Sequence, residues 1–113
     1  MKTIVDFIND KFRADEIKNI LEVGCGMAEI LKFLDCGIKY SGIDPSNYCI
    51  DKLKNDFPAQ SFYSGYCEKL LLGDGVFDLV FSSQVLEHVD DPRKALNEMS
   101  RVVSDGGYIL ISA

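Results

Sequence analysis

ILEVGCGMAEI, residues 20–30, carries the deciding pattern: an apolar run stopped by Gly24, a second glycine at Gly26, and then a segment with helical spacing. The run reads as a buried strand and the glycines as a sharp turn into a helix. Such a turn needs glycine for two reasons. The backbone bends, in places with positive φ, and a ligand has to approach the bare chain near the positive end of the helix. Glu22 puts a carboxylate at the strand's end, where it is costly unless it faces a cleft or a ligand satisfies it. Asp44 closes the next strand candidate 22 residues later. That is near the offset of about 20 residues at which an acidic side chain meets ribose hydroxyls in dinucleotide folds.

On either side of this turn, strands and helices alternate. Residues 2–13 place Ile4, Val5, Ile8 and Phe12 on one helical face, and KNILEV (18–23) is the strand that enters the glycine turn. Met27, Ile30, Leu31 and Leu34 predict a helix over 27–36. KYSGID (39–44) is a second strand, and Pro45-Ser46 opens a helix bearing Ile50, Leu53 and Phe57. Residues 60–63 form a weak strand, while 64–76 carry no clear period and end in Gly73-Asp74-Gly75. VFDLVFSS (76–83) is a strong buried-strand run. Asp90-Asp91-Pro92 then caps a helix whose Ala95, Leu96, Met99, Val102 and Val103 share a face. Gly106-Gly107 ends it, and GYILISA (107–113) is the last strand. Alternation of this kind implies parallel pairing through right-handed crossovers. The fold expected is a doubly wound, Rossmann-like α/β domain with a mainly parallel sheet of about five strands flanked by helices.

A chain of 113 residues is one domain's worth, with an N-terminal helix over 1–16 and an α/β core over 18–113, and it leaves no room for a separate substrate domain. With 47% hydrophobic and 27% charged residues it reads as an ordinary soluble globular domain. Eighteen acidic against twelve basic residues give a net charge of −6, with the bases scattered, which disfavours a nucleic-acid partner. No apolar run nears the roughly 18 residues of a membrane span, and Asp6 and Asp10 interrupt the N-terminus, unlike a signal peptide. The location expected is cytoplasmic. Cys25, Cys36, Cys49 and Cys67 lie far apart, with one histidine in the chain, so no metal site is expected and the thiols read as small hydrophobes.

The nucleotide is narrowed by one residue. The dinucleotide fingerprint wants a small third position, and counting from Gly24 that position is Glu29, which argues against a nicotinamide oxidoreductase. The small residue is Ala28, giving G-x-G-x-small after Glu22. This pattern resembles motif I of the class I S-adenosylmethionine-dependent methyltransferases, and the order of later segments resembles their type-11 subgroup over residues 18–113. FDLVFSSQVLEHVDDP (77–92) is similar to that family's segment after the fourth strand. EMSRVVSDGGYILIS (98–112) is similar to its R-V-L-x-P-G-G ending.

The resemblance implies that S-adenosylmethionine is the cofactor and a small molecule the methyl acceptor. It implies that Glu22, Gly24, Cys25 and Gly26 face the methionine part, with Glu22 near the ammonium. Asp44, followed by Pro45, would hold the ribose hydroxyls. Cys67 and Glu68 would sit by the adenine, and Ser82, Ser83 and Gln84 would line the cofactor toward the acceptor pocket. Three departures stand out. Ala28 replaces a third glycine, tolerable if its φ is negative. Tyr66 stands where many members carry an adenine-contacting Asp, and Ser104-Asp105 replaces a Lys-Pro-like pair.

His88 is the candidate general base for a hydroxyl acceptor, against a structural role in the turn into Asp90-Asp91-Pro92. Tyr40, Tyr48 and Tyr63 read as faces of sheet and helix, and Glu16, Glu68 and Glu87 as solvated or capping charges rather than catalytic ones. A cofactor-binding or scaffold domain without an acceptor pocket is the rival reading, because family members continue into two more strands. The last strand is accordingly expected at a sheet edge, where it would pair in a homo-oligomer or in a longer chain.

Overall fold

The alternating pattern resolves into a five-stranded, all-parallel sheet in a computed structural model that describes residues 2–112. In chain order the elements are α1 (Lys2–Arg13), β1 (Asn19–Val23), β2 (Lys39–Asp44), α2 (Asn47–Asp56), β3 (Ser61–Ser64), β4 (Phe77–Ser83), α3 (Pro92–Val102) and β5 (Val103–Ser112). The strand order is β3-β2-β1-β4-β5. The chain thus winds outward from β1 to β3, then crosses back to β4 on the other side of β1. Between those two directions lies the topological switch point, where open α/β sheets place their ligands.

Strand parity decides which helix covers which face. Ile20, Tyr40, Phe62, Leu79 and Phe81 pack with Val5 and Ile8 of α1 and Ile50 and Leu53 of α2. Leu21, Val23, Ile43 and Val80 pack on the opposite face with Ala95, Met99 and Val102 of α3. Both faces being covered, the central strands are apolar almost throughout, as a parallel sheet requires. Ser46 caps α2 by accepting the Cys49 N–H at 3.3 Å. Asp91 caps α3 by accepting the Lys94 N–H at 3.1 Å, with Pro92 opening the helix.

Two sequence expectations need correction. The helix over 27–36 is a single 3₁₀ turn, Glu29–Lys32. Tertiary contacts override the local period there. Asn9 of α1 donates to the Phe33 carbonyl at 3.0 Å and accepts the Asp35 N–H at 2.9 Å, while Arg13 forks onto the Asp35 carboxylate at 2.6 and 2.9 Å. The last helix also stops at Val102, before the glycines. Val103 is already extended (φ −78°, ψ 142°) and pairs with Phe77. The register then shifts, so that Leu79 pairs with Tyr108 and the glycines sit inside the irregularity. β5 lies at the sheet edge as expected; Ala113, included in that expectation, lies outside the described residues, as does Met1.

Candidate functional site

The ends of β1, β2 and β4 and the segment after β3 enclose a cleft of about 340 Å³. Of the residues singled out from the sequence, Gly24, Asp44, Pro45, Cys67, Glu68, Gln84 and His88 line it. Glu22, Cys25, Gly26, Ser82 and Ser83 are not part of its lining.

Asp44 is held by two backbone donors: Gly26 N–H to Oδ2 and Ser46 N–H to Oδ1, each at 3.0 Å. An ionised carboxylate has about four acceptor sites, so each oxygen retains one for a ligand. Gly24 meets its structural demand twice. Its φ is +76°, and a Cβ there would run into the side chain of Val85 across the cleft floor.

Ala28 does not satisfy the condition set for it. Its φ is +54° and ψ 45°, in the left-handed region, and its methyl is buried. Left-handed backbone costs a non-glycine residue roughly 1–2 kcal/mol, and burying one methyl returns about 0.8 kcal/mol. Ala28→Gly is therefore expected to leave stability within about 1 kcal/mol of wild type, read as the urea midpoint. The stub of helix after the glycines also weakens the notion of a strong helix dipole there. A single 3₁₀ turn aligns too few peptides.

Glu22 does not open into the cleft. It is 8% exposed and accepts the Tyr40 phenol at 2.6 Å. Burial pushes its pKa up to about 7; the Tyr40 hydrogen bond opposes that rise and the Asp44 charge adds to it. The register supplies the partner: Glu22 pairs with Gly42, so Tyr40, two residues earlier on β2, lies diagonal to it on the same face.

Cys25 packs where a side chain at residue 42 would otherwise stand, its Sγ 2.9 Å from an idealised Cβ there, so it is a packing group enabled by Gly42. Burial pushes its thiol up to about 12. Burial likewise pushes Cys67 up to about 11, with the Glu68 contact adding to it. Burial thus favours the neutral thiol at both positions, the form that is not nucleophilic. Ser82 is fully buried, its hydroxyl without a hydrogen-bond partner among the described residues. Gln84 turns out of β4 with φ +55°, its N–H bonded to the Ser112 carbonyl at 2.6 Å.

His88 stands at the rim in a second 3₁₀ turn, Leu86–His88, with a side chain 77% exposed and Glu87 Oε1 3.8 Å from its Nε2. The lining residues missed from the sequence are Ile43, Gly65, Val85, Val89 and Asp90, together with Tyr66, which was noted only as a departure. The cleft carries the carboxylates of Asp44, Glu68 and Asp90 and neither lysine nor arginine. A pyrophosphate would find no cation there, whereas a positively charged ligand is favoured.

The sequence pattern of a family described as a methyltransferase domain matches residues 21–111. An uncharacterized methyltransferase of Schizosaccharomyces pombe is 35% identical over 105 residues, which cover 80% of this chain and 37% of that protein. A ubiquinone biosynthesis O-methyltransferase of Coxiella burnetii is 31% identical over 100 residues, 84% of this chain and 43% of its own. Among solved structures, a sugar N-methyltransferase of Streptoalloteichus superposes with a TM-score of 0.81 at 21% identity, covering 95% of this chain and 46% of its own. The chain spans less than half the length of these curated relatives.

Proposed function

This chain belongs to the methyltransferase-domain family, and from that premise we propose that it binds S-adenosylmethionine in the cleft and directs its methyl group to a small-molecule O, N or C acceptor. The observation that carries this reading is Asp44, fixed by two backbone N–H groups at the cleft mouth with acceptor sites to spare, in a lining without lysine or arginine. The residues fit a ligand with a ribose diol and a positive charge. S-Adenosylmethionine supplies, when bound, a methyl group activated on a sulfonium.

Asp44 would accept the ribose hydroxyls, and Gly24 and Gly26 would offer bare backbone beside it. Glu22, buried behind the glycine turn against Tyr40, has no direct path to the cleft and would add negative potential only once it ionises above about pH 7. Tyr66, Cys67 and Glu68 would wall the adenine. Ile43, Val85 and Val89 would line the apolar side, and Ser82 and Ser83 precede Gln84 at the end of β4 without lining the cleft themselves. Alignment of donor and acceptor in such a site can supply roughly 7–11 kcal/mol. His88 would take the acceptor's proton. His88→Gln is expected to lower kcat about 100-fold with S-adenosylhomocysteine binding unchanged, and full turnover would remove it from the mechanism.

Calorimetric titration tests the reading as a whole: S-adenosylhomocysteine is expected to bind and NAD not to. A flat S-adenosylhomocysteine titration would overturn it.

No helix among the described residues is long and apolar enough to cross a membrane. A cytoplasmic location is part of the same proposal, a reducing compartment in which four free thiols would stay reduced. The outer side of β5 is where a further strand, from a second copy or the same polypeptide, would pair.

A further inference from the structure

Arg101, near the end of α3, is bonded to the segment that links the cleft wall to β4. Its Nη2 donates to the Leu70 carbonyl at 2.7 Å, and its Nη1 to the Leu72 carbonyl at 2.8 Å and the Asp74 carboxylate at 2.6 Å. Its Nε donates to Glu98 Oε2 at 2.7 Å, and Glu98 Oε1 accepts the Leu70 N–H at 2.8 Å. The Gly75 N–H closes on the Arg101 carbonyl at 2.9 Å. Both backbone polar groups of Leu70 are thus taken by α3 side chains, a part that a neighbouring strand plays elsewhere in the sheet. The Leu70 side chain is buried with Met99 and Val102 of the same helix.

Leu70 lies two residues past Glu68, and the Lys69 N–H turns back onto the Tyr66 carbonyl at 3.2 Å. Whatever fixes Leu70 therefore fixes the wall formed by Tyr66, Cys67 and Glu68. A second stretch of the lining, His88 to Asp90, runs into the Asp91 cap at the start of the same helix. One helix, eleven residues and about 16 Å long, is thus joined to both stretches.

We propose that Arg101 and Glu98 are positioning residues that set the width of the cofactor cleft by tying its 66–68 wall to α3. Neither side chain lines the cleft, so each acts through the backbone it holds. The proposal rests on reading this cleft as the S-adenosylmethionine site.

The test measures S-adenosylhomocysteine affinity by calorimetry and amide hydrogen exchange at residues 66–70. Arg101→Met keeps an apolar stem and loses every bond of the fork. It is expected to weaken binding about 30-fold and to speed exchange at 66–70, while β1 and β4 keep their protection. Arg101→Lys should recover part of the affinity, since one ammonium cannot hold four acceptors with the geometry of a fork. Arg13→Met, which breaks the distant Arg13–Asp35 pair, should lower Tm and leave affinity unchanged. If Arg101→Met lowers Tm but leaves affinity and exchange at 66–70 as in wild type, the proposal fails. If wild type does not bind S-adenosylhomocysteine, the cofactor reading fails, and exchange at 66–70 alone decides whether the clamp holds the wall. Should Arg101→Met not fold, Glu98→Gln is read in the same way. It keeps the acceptor and loses the charge, with an expected loss of about fivefold.

Discussion

Asp44→Ala is expected to weaken S-adenosylhomocysteine binding about 1,000-fold. Two hydrogen bonds from a diol to a carboxylate are worth about 1.5–3 kcal/mol each, and each 1.4 kcal/mol is tenfold in affinity. The substitution also strips the Gly26 and Ser46 N–H groups of their acceptor, loosening the glycine turn and the start of α2 together. Asp44→Asn separates the two contributions. Its amide oxygen can still serve one backbone donor, but its NH₂ faces another donor, so the backbone is partly held while the charge is gone. Calorimetry, with circular dichroism to verify the fold, reads both variants. A loss below tenfold in Asp44→Ala would remove the residue from ligand recognition and with it the central support for the functional reading.

Glu22 should give the protein a pH dependence opposite to that of a salt-bridged carboxylate. Its folded pKa is raised from 4.5 to about 7, first by burial, with the Tyr40 phenol opposing and the Asp44 charge adding to the rise. The folded state therefore holds a proton that the unfolded state has released between those two values. Stability from this group is full below pH 4.5 and is lost as pH rises through about 7. At 1.36 kcal/mol per pH unit of difference, the loss approaches about 3 kcal/mol by pH 8. Urea unfolding at pH 5 and pH 8 checks it: Glu22→Gln should abolish the slope that wild type shows across this window. Wild type and variant falling in parallel would mean that Glu22 does not titrate in the folded protein. The same linkage applies to ligands. A cation bound nearby favours the ionised form, so its binding should tighten as pH rises toward 8.

The sheet was legible because its signals are local and redundant. Apolar runs such as VFDLVFSS end at turn residues, Pro45-Ser46 does open α2, and Asp91 occupies the cap position read for Asp90-Asp91-Pro92. The segment over 27–36 was not, because its conformation is imposed from a distance: Asn9 and Arg13 of α1 hold Phe33 and Asp35, and no feature of the segment's own period reveals that. In the site, Gly24, Asp44, Pro45, Cys67, Glu68, Gln84 and His88 were found from motif and resemblance and do line one cleft. Glu22 was identified but its direction misjudged, because strand parity becomes informative only once the β1–β2 register is known. Val85 and Val89 escaped notice for a plainer reason. A valine in a loop carries no chemistry until its position against Gly24 is seen.

The all-parallel order of the sheet also bears on how the molecule is made. No two neighbouring strands can form a tight hairpin, so every ladder must wait for a crossover to close, and such topologies fold slowly for their size. β1 needs both β2 and β4 as neighbours, and β4 begins only at Phe77. Gly24 and Asp44 can therefore meet early, while the cleft they serve is completed only when the second half of the chain docks. A ligand present during refolding would find little to bind until that late step. It should lengthen the lifetime of the native protein by slowing unfolding, and leave the refolding rate nearly unchanged.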